Sequence, residues 1–358
     1  MGLDDNFSGT KTVADHLLFD VAALERYLTQ HLTGFKAPIA VEQFKGGQSN
    51  PTYLLRTPNA AQASYVMRSK PGPIAKLLPS AHAIEREFAV QSALYNTNVP
   101  VAKMYVLCKD EAVIGRAFYI MEHVQGRVFW DQSIPQLSKS ERTAIYTEMN
   151  RVIAALHSVD FVAVGLGSYG KTGQYMQRQI TRWTKQYLAS ETEVIESMNS
   201  LIDWLPQHIP ASERTSIVHG DYRLDNMIFH PTEPRVLAVL DWELSTLGDP
   251  VADFAYHLMS WHIAPGQFRG IAGLDWAALG IPQPADYEAL YCGATNTAQI
   301  DNLNFYIAFN AFRLAGILQG IMKRVLEGTA SSAQAVAAGK SARVMADLGW
   351  KYAQMAKA

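Results

Sequence analysis

The chain has 358 residues, room for about two domains at roughly 150 residues each. With 48% hydrophobic and 18% charged residues, it has the balance of a folded globular protein and not of a disordered one. The formal charge of -2 argues against nucleic acid or an anionic membrane as partner, and two distant cysteines, Cys108 and Cys292, argue against a disulfide framework or zinc site and for a reducing, cytoplasmic setting.

The first residues, MGLDDNFSGT, are acidic where a signal peptide would be basic, and Asn6 stands where a myristoylation site needs Ser or Thr. Val21, Leu24, Tyr27 and Leu28 have helical spacing behind Asp20, a good cap, so a helix is predicted from Asp20 to Leu32. A hairpin follows: Ile39 to Phe44, the turn-rich Lys45 to Pro51, then Thr52 to Arg56. A third strand is predicted over Ser64 to Arg68. The stretch KPGPIAKLLP then reads as a loop because its prolines cannot donate backbone hydrogen bonds. Ser80 is positioned to cap a helix reaching about Tyr95, with Ile84, Phe88 and Leu94 on one face. Strands are expected near Met104–Cys108 and Phe118–Met121.

Beyond Gly126 helical periodicity takes over, at Lys139–Val159, Gln174–Ala189, Glu191–Leu205 and from Pro250 onward. Leu303 to Met322 is strongly apolar, but Asn304, Asn310, Arg313 and Gln319 interrupt it, which suits a buried helix better than a membrane span. The predicted organisation is α+β: a small β-rich lobe over residues 1–124 and a larger, mainly helical lobe over 125–358. Nothing in the sequence bears on oligomeric state.

Two apolar, β-prone runs in the second part carry chargeable tails. Ile217-Val218 leads into His219-Gly220-Asp221 with Asn226 five residues beyond the aspartate, and Val236 to Leu240 leads into Asp241-Trp242-Glu243. Phosphoryl transfer to an alcohol needs a carboxylate to orient the hydroxyl and take its proton, oxygen ligands for Mg²⁺, and cations on the phosphate oxygens. Asp221, Asn226 and Asp241 supply the carboxylate and the ligands, and Arg223 supplies a cation. Singly, Asp, Gly and Asn are ordinary turn residues; the ordered set is what points to chemistry.

HGDYRLDN followed by LDWE resembles the aminoglycoside-phosphotransferase and choline-kinase-like branch of the protein-kinase-like fold. The resemblance implies a two-lobed fold that uses ATP and Mg²⁺. It makes Asp221 the base, Asn226 and Asp241 the metal ligands, and Arg223 a group touching the γ-phosphate. The Gly46-Gly47-Gln48-Ser49-Asn50 hairpin turn then becomes the phosphate-facing loop, which a Gly-Gly turn alone would not justify. The family's strand lysine is replaced by Arg68, with Lys70 as the alternative, and the helix partner is Glu87 in preference to Glu85. Glu122 and Val124 take the adenine-facing hinge positions, while His123 between them reads as a surface residue. Asp249 before Pro250 reads as a helix cap and Asp253 as a brace for the Asp221 loop.

YVMRSKP…KLLPSAHAIEREF, RQITRWTKQY and FRLAGILQGIMKR are similar to one subgroup, the kinase-like domains fused to acyl-CoA dehydrogenases in some eukaryotes and free-standing in bacteria. That similarity implies a small-molecule hydroxyl substrate of acyl or CoA-linked type. Aminoglycoside or amino-alcohol phosphorylation is the alternative, although a polycation would need more carboxylates than the late helices offer. A silent nucleotide-binding scaffold rests on the missing strand lysine, and the short run from LDWE to GDP leaves no room for a protein-kinase activation segment. Arg313, inside an apolar helix, needs a partner, with an internal Asp or Glu favoured over an anionic substrate.

Overall fold

Alternation along one strand organises the N-terminal part of the protein. In a computed structural model, which describes residues 9–45, 50–57, 64–71, 83–211, 214–328 and 333–356, the contacts divide the chain into two units. The first comprises Met1–Ile134, Val162–Leu166 and Arg223–Ser245; the second comprises Pro135–Phe161, Gly167–Tyr222 and Thr246–Ala358. The segment holding Asn226 and Asp241 therefore groups with the strand-rich unit.

The first unit is built on an antiparallel six-stranded sheet of β1 (Thr10–Lys11), β2 (Ala40–Phe44), β3 (Thr52–Arg56), β4 (Tyr65–Ser69), β5 (Met104–Cys108) and β6 (Phe118–Glu122), in the order β1-β2-β3-β4-β6-β5. Side chains alternate across a strand. Tyr65 and Met67 of β4, with Phe118 and Ile120 of β6, enter the larger apolar cluster. Val66 and Arg68 point the other way, into a cavity. Helix α1 (Val21–His31), capped by Asp20 accepting from the Ala23 amide at 3.0 Å, delivers Leu24 and Leu28 to that cluster. Each such side chain removed from water contributes roughly 1.5–3 kcal/mol. Helix α2 (Ile84–Leu94) contributes Ile84 to a smaller cluster with Ala117 and Tyr119. It begins at Ile84 behind Ala83, which makes no side-chain cap bond, and the expected cap Ser80 lies outside the described residues.

Four short strands follow later in the chain: β7 (Ser216–Val218), β8 (Met227–Phe229), β9 (Val236–Val239) and β10 (Thr246–Gly248). In the first unit β8 and β9 form an antiparallel hairpin, which Arg127 grips by exchanging backbone hydrogen bonds with Phe229, both at 2.8 Å. Gly126 lies so close to this hairpin that a Cβ there would sit 2.1 Å from the Phe229 carbonyl oxygen. Only glycine fits.

In the second unit β7 pairs with β10, and helices supply the rest. They are α3 (Lys139–His157), α4 (Tyr175–Ser190), α5 (Glu196–Trp204), α6 (Pro250–His262), α7 (Trp276–Leu279), α8 (Pro284–Ala294), α9 (Leu303–Leu326), α10 (Ala333–Lys340) and α11 (Ala342–Met355). A reciprocal capping box between Ser138 and Glu141 starts α3. Asp249, accepting from the Val251 amide, and Pro250 at the first helical position start α6. By length and composition α9 is apolar enough to cross a membrane, yet 78% of its apolar window is buried in the protein, which marks a core helix. The helix expected over Glu191–Leu205 begins only at Glu196. Residues 191–194 are drawn out by side chains from α9 and α11: Gln319 donates to Thr192 Oγ1 at 2.5 Å and Arg343 to the Val194 carbonyl at 3.1 Å.

Candidate active site

Arg68 reaches the cavity of the first unit because it follows Met67 in β4. Its side chain is only 10% exposed. Its Nε lies 3.0 Å from Glu87 Oε2, and its Nη2 lies 3.0 Å from Asp241 Oδ1 and 3.6 Å from Glu243 Oε2. Burial works against the guanidinium charge, but Glu87, Tyr119, Asp241 and Glu243 outweigh it and hold its pKa above the ordinary arginine value. Glu87, 1% exposed, also accepts from Asn50 Nδ2 at 2.9 Å and from the Tyr119 hydroxyl at 3.1 Å. Burial pushes the Glu87 carboxyl up, and Arg68 leads the groups that pull it back.

Lys70 lies beyond the end of β4 and pairs with Glu85 at 2.6 Å, both half-exposed. Of the two candidate cations, Arg68 is the one facing the cavity, and Glu87 is its helix partner. Gly46, Gly47, Gln48 and Ser49 fall outside the described residues. Asn50 is fully buried, and its side chain supports the Glu87 carboxylate.

The cavity measures about 630 Å³ and is lined by Val66, Ala102, Met121, Ile228 and Leu240 together with the segment from Glu122 to Gly126. An apolar slot beside a strand end suits a flat heterocycle. Glu122 and Val124 are both in its wall. So is His123, contrary to its reading as a surface residue: it is half-buried near the Phe44 ring, and burial, then Arg56, lowers its pKa. Its position directly after β6 turns it inward.

Asn226 and Asp241 meet in the same wall. Asn226 ends a short 3₁₀ turn, Leu224–Asn226, and its carbonyl accepts from the Leu240 amide at 2.7 Å, which sets Asp241 beside it. Asp241 has left-handed backbone, φ 64° and ψ 60°, a conformation that costs a non-glycine residue roughly 1–2 kcal/mol. Magnesium asks a protein for only one or two oxygen side chains, with water and phosphate oxygens completing its shell. Asn226 and Asp241 fit that requirement, and Asp241 Oδ1 already holds a cation, the Arg68 guanidinium. Arg223 directs Nη2 to within 3.6 Å of Asp225 Oδ2.

In the second unit the loop after β7 is held from both sides. Asp253, on the first turn of α6, accepts from the His219 amide at 2.7 Å and from the Gly220 amide at 2.8 Å, with His157 Nε2 at 3.2 Å from the same carboxylate. Burial opposes its charge, but His157, His219 and the amides hold its pKa below the usual carboxylate value. Gly220 has φ +81°, the left-handed region that favours glycine. Asp221 follows, half-buried; its amide donates to His219 Nδ1 at 3.2 Å, and Oδ1 accepts from the Tyr256 hydroxyl at 2.6 Å.

Arg313 has no carboxylate within ion-pair distance among the described residues, which corrects the expected internal Asp or Glu. It donates instead to the Gly220 carbonyl at 2.6 Å and lies over the rings of Tyr256 and Trp183, at 4.9 and 5.5 Å. Sequence reasoning also missed Tyr256. The signal was present: Tyr256 stands one helical turn after Asp253, on the same face of α6.

The phosphotransferase enzyme family model matches residues 40–290. Mouse acyl-CoA dehydrogenase family member 10 is 49% identical over 351 residues, covering 96% of this chain and 32% of that protein. The chain spans less than half the length of the curated relatives it matches first. A crystal structure from Ralstonia eutropha, provisionally named an aminoglycoside phosphotransferase, is 66% identical with a TM-score of 0.88, covering 95% of this chain and all of that one. The aminoglycoside phosphotransferase APH(4)-Ia, solved with ADP and hygromycin B, shares the fold at 14% identity and a TM-score of 0.58, with 92% and 98% of the two chains covered. The β-sheet N-lobe and helical C-terminal region are those of a protein-kinase-like α+β fold.

Proposed function

The chain belongs to the phosphotransferase enzyme family, and from that premise we propose that it moves the γ-phosphate of Mg-ATP to a hydroxyl of a small acyl or CoA-linked compound. One observation carries the reading: Asn226 and Asp241, a pair of Mg²⁺-type oxygen ligands, lie in the wall of a cavity that Arg68 and the Glu122–Val124 segment also line.

Asn226 and Asp241 would hold the metal, which when bound would neutralise charge on the phosphates. Arg68 grips phosphate oxygens with its planar fork, a geometry that matches phosphate better than lysine's point charge. Glu87 orients that fork. The apolar slot with Glu122 and Val124 takes the base of the nucleotide through main-chain groups. Asp221, carried on the same stretch of chain as Asn226, receives the proton of the acceptor hydroxyl as that oxygen bonds to the γ-phosphorus and the bond from that phosphorus to the departing ADP oxygen breaks, and Arg223 meets the transferred phosphate.

The acyl preference rests on the identity to acyl-CoA dehydrogenase family members over nearly the whole chain. An ATP-consumption screen over hydroxyacyl-CoAs, hydroxy acids, amino alcohols and aminoglycosides tests it, with Asp221→Ala as the blank. Turnover of hydroxyacyl compounds that is absent in Asp221→Ala is expected. Preferential turnover of an aminoglycoside or amino alcohol would replace the acyl assignment. Mg-ATP binding without turnover of any class would leave a nucleotide-binding scaffold in place of the enzyme.

A further inference from the structure

The proposed base is not held by its own loop alone. Tyr256 lies on α6, is 6% exposed, and donates its hydroxyl to Asp221 Oδ1 at 2.6 Å. Behind the ring stands Arg313, 9% exposed, with its guanidinium carbon 4.9 Å from the Tyr256 centroid and Nη2 donating to the Gly220 carbonyl at 2.6 Å. We propose that Tyr256 is the positioning residue for Asp221, and that Arg313 fixes both Tyr256 and the Gly220 peptide in the arrangement this requires. The proposal rests on the reading of Asp221 as the base.

Three physical points support it. A base on a turn has a free χ1 and χ2, and a hydrogen bond to one carboxylate oxygen fixes the plane in which the other meets a hydroxyl. A cation over the face of a phenol draws electron density from the ring and strengthens its O–H as a donor. Arg313 has no carboxylate within ion-pair distance among the described residues, so its charge acts on the ring, on Trp183 at 5.5 Å and on the Gly220 carbonyl. A purely structural arginine would be worth its packing and its hydrogen bond, and would leave the Asp221 carboxylate indifferent to the Tyr256 hydroxyl.

Tyr256→Phe removes one oxygen and keeps the ring. With the most active acceptor from the screen, we expect Tyr256→Phe to lower kcat by about 10-fold to 100-fold, the range for a slightly misplaced catalytic group. KM for ATP should stay within about twofold and the Mg-ATP rise in Tm should be kept, because nucleotide contacts are elsewhere. Arg313→Lys should give a smaller loss than Arg313→Met, and Tyr256→Phe should have no further effect in an Asp221→Ala background. A wild-type kcat in Tyr256→Phe would overturn the proposal.

A second measurement needs no turnover. In protein labelled with carbon-13 at tyrosine Cζ, the Tyr256 resonance, identified by its loss in Tyr256→Phe, should move in Asp221→Ala and in Arg313→Lys. A Tyr256 resonance that ignores Asp221→Ala would overturn the proposal whatever the activity. A wild-type protein with neither turnover nor a Mg-ATP response would refute the kinase reading instead, and the resonance would still decide whether Tyr256 holds Asp221.

Discussion

Arg68 and Asp241, 173 positions apart in the chain, face each other at 3.0 Å. The strand arginine is thus committed to a carboxylate that the proposed reaction needs for metal, while its Nε stays against Glu87. In the proposed reaction, Mg²⁺ and nucleotide would exchange the first contact and leave the second in place.

Removing Arg68 should therefore cost both stability and binding. Arg68→Ala leaves Glu87 buried without its cation, a loss of about 3–5 kcal/mol for a broken buried pair. Lys70→Ala removes a half-exposed pair worth under about 1 kcal/mol. Chemical denaturation should give that order, and calorimetric titration should show Mg-ATP affinity falling far more in Arg68→Ala. The reverse order in the titration would transfer the phosphate-gripping role to Lys70.

Asp241→Asn isolates the charge, because Asn tolerates left-handed backbone and Ala does not. Stability within about 1 kcal/mol of wild type is expected. The Mg²⁺-dependent part of the ATP-induced rise in Tm should vanish. A full Mg²⁺-dependent rise in this variant would remove Asp241 from the metal site.

Asp253→Asn keeps the size of the side chain and loses the charge that His157 and two amides share. We expect a loss of about 1.5–3 kcal/mol, the value of a hydrogen bond to a charged group. Turnover should fall at least 100-fold while nucleotide affinity changes little. Unchanged turnover would mean that the Gly220 peptide is held adequately without the carboxylate.

Acidification should destabilise the second unit through its buried histidines. Burial lowers His257 and His262 from 6.5 to about 4. A base whose folded pKa is depressed gives stability that is present above its unfolded value and lost as pH falls, here between 6.5 and about 4. At pH 5 the loss should be about 2 kcal/mol for each group. Denaturation midpoints at pH 7.5 and 5 measure it, and His257→Gln should flatten the dependence. An equal slope in wild type and variant would show that His257 does not carry it.

Much of the strand-rich unit was legible because its signals are local. Asp20 caps the predicted helix, and β2, β3 and β5 fall within a residue of their predicted limits. Strands β8 and β10 have three residues each, too few for alternation to register. The choice of Glu87 over Glu85 followed from helix faces, which a sequence does encode, whereas Arg68 and Lys70, two residues apart, share a strand face, and Arg68 was preferred for the fit of its guanidinium to phosphate. The partners of Arg313 did not follow, because a carbonyl on a distant loop and two rings from other helices leave no pattern in the neighbouring residues. The left-handed backbone at Asp241 was likewise invisible, since nothing in LDWE requires it.

The opposed faces of β4 set a parity on the chain. Met67 and Arg68 are neighbours, one sealed in the apolar layer and the other in the cavity wall. One residue inserted within β4 ahead of them would exchange their destinations, driving a guanidinium into hydrocarbon and a thioether into the cavity. Two would restore the order. In this strand, evolution and protein engineering alike can change length only in even steps.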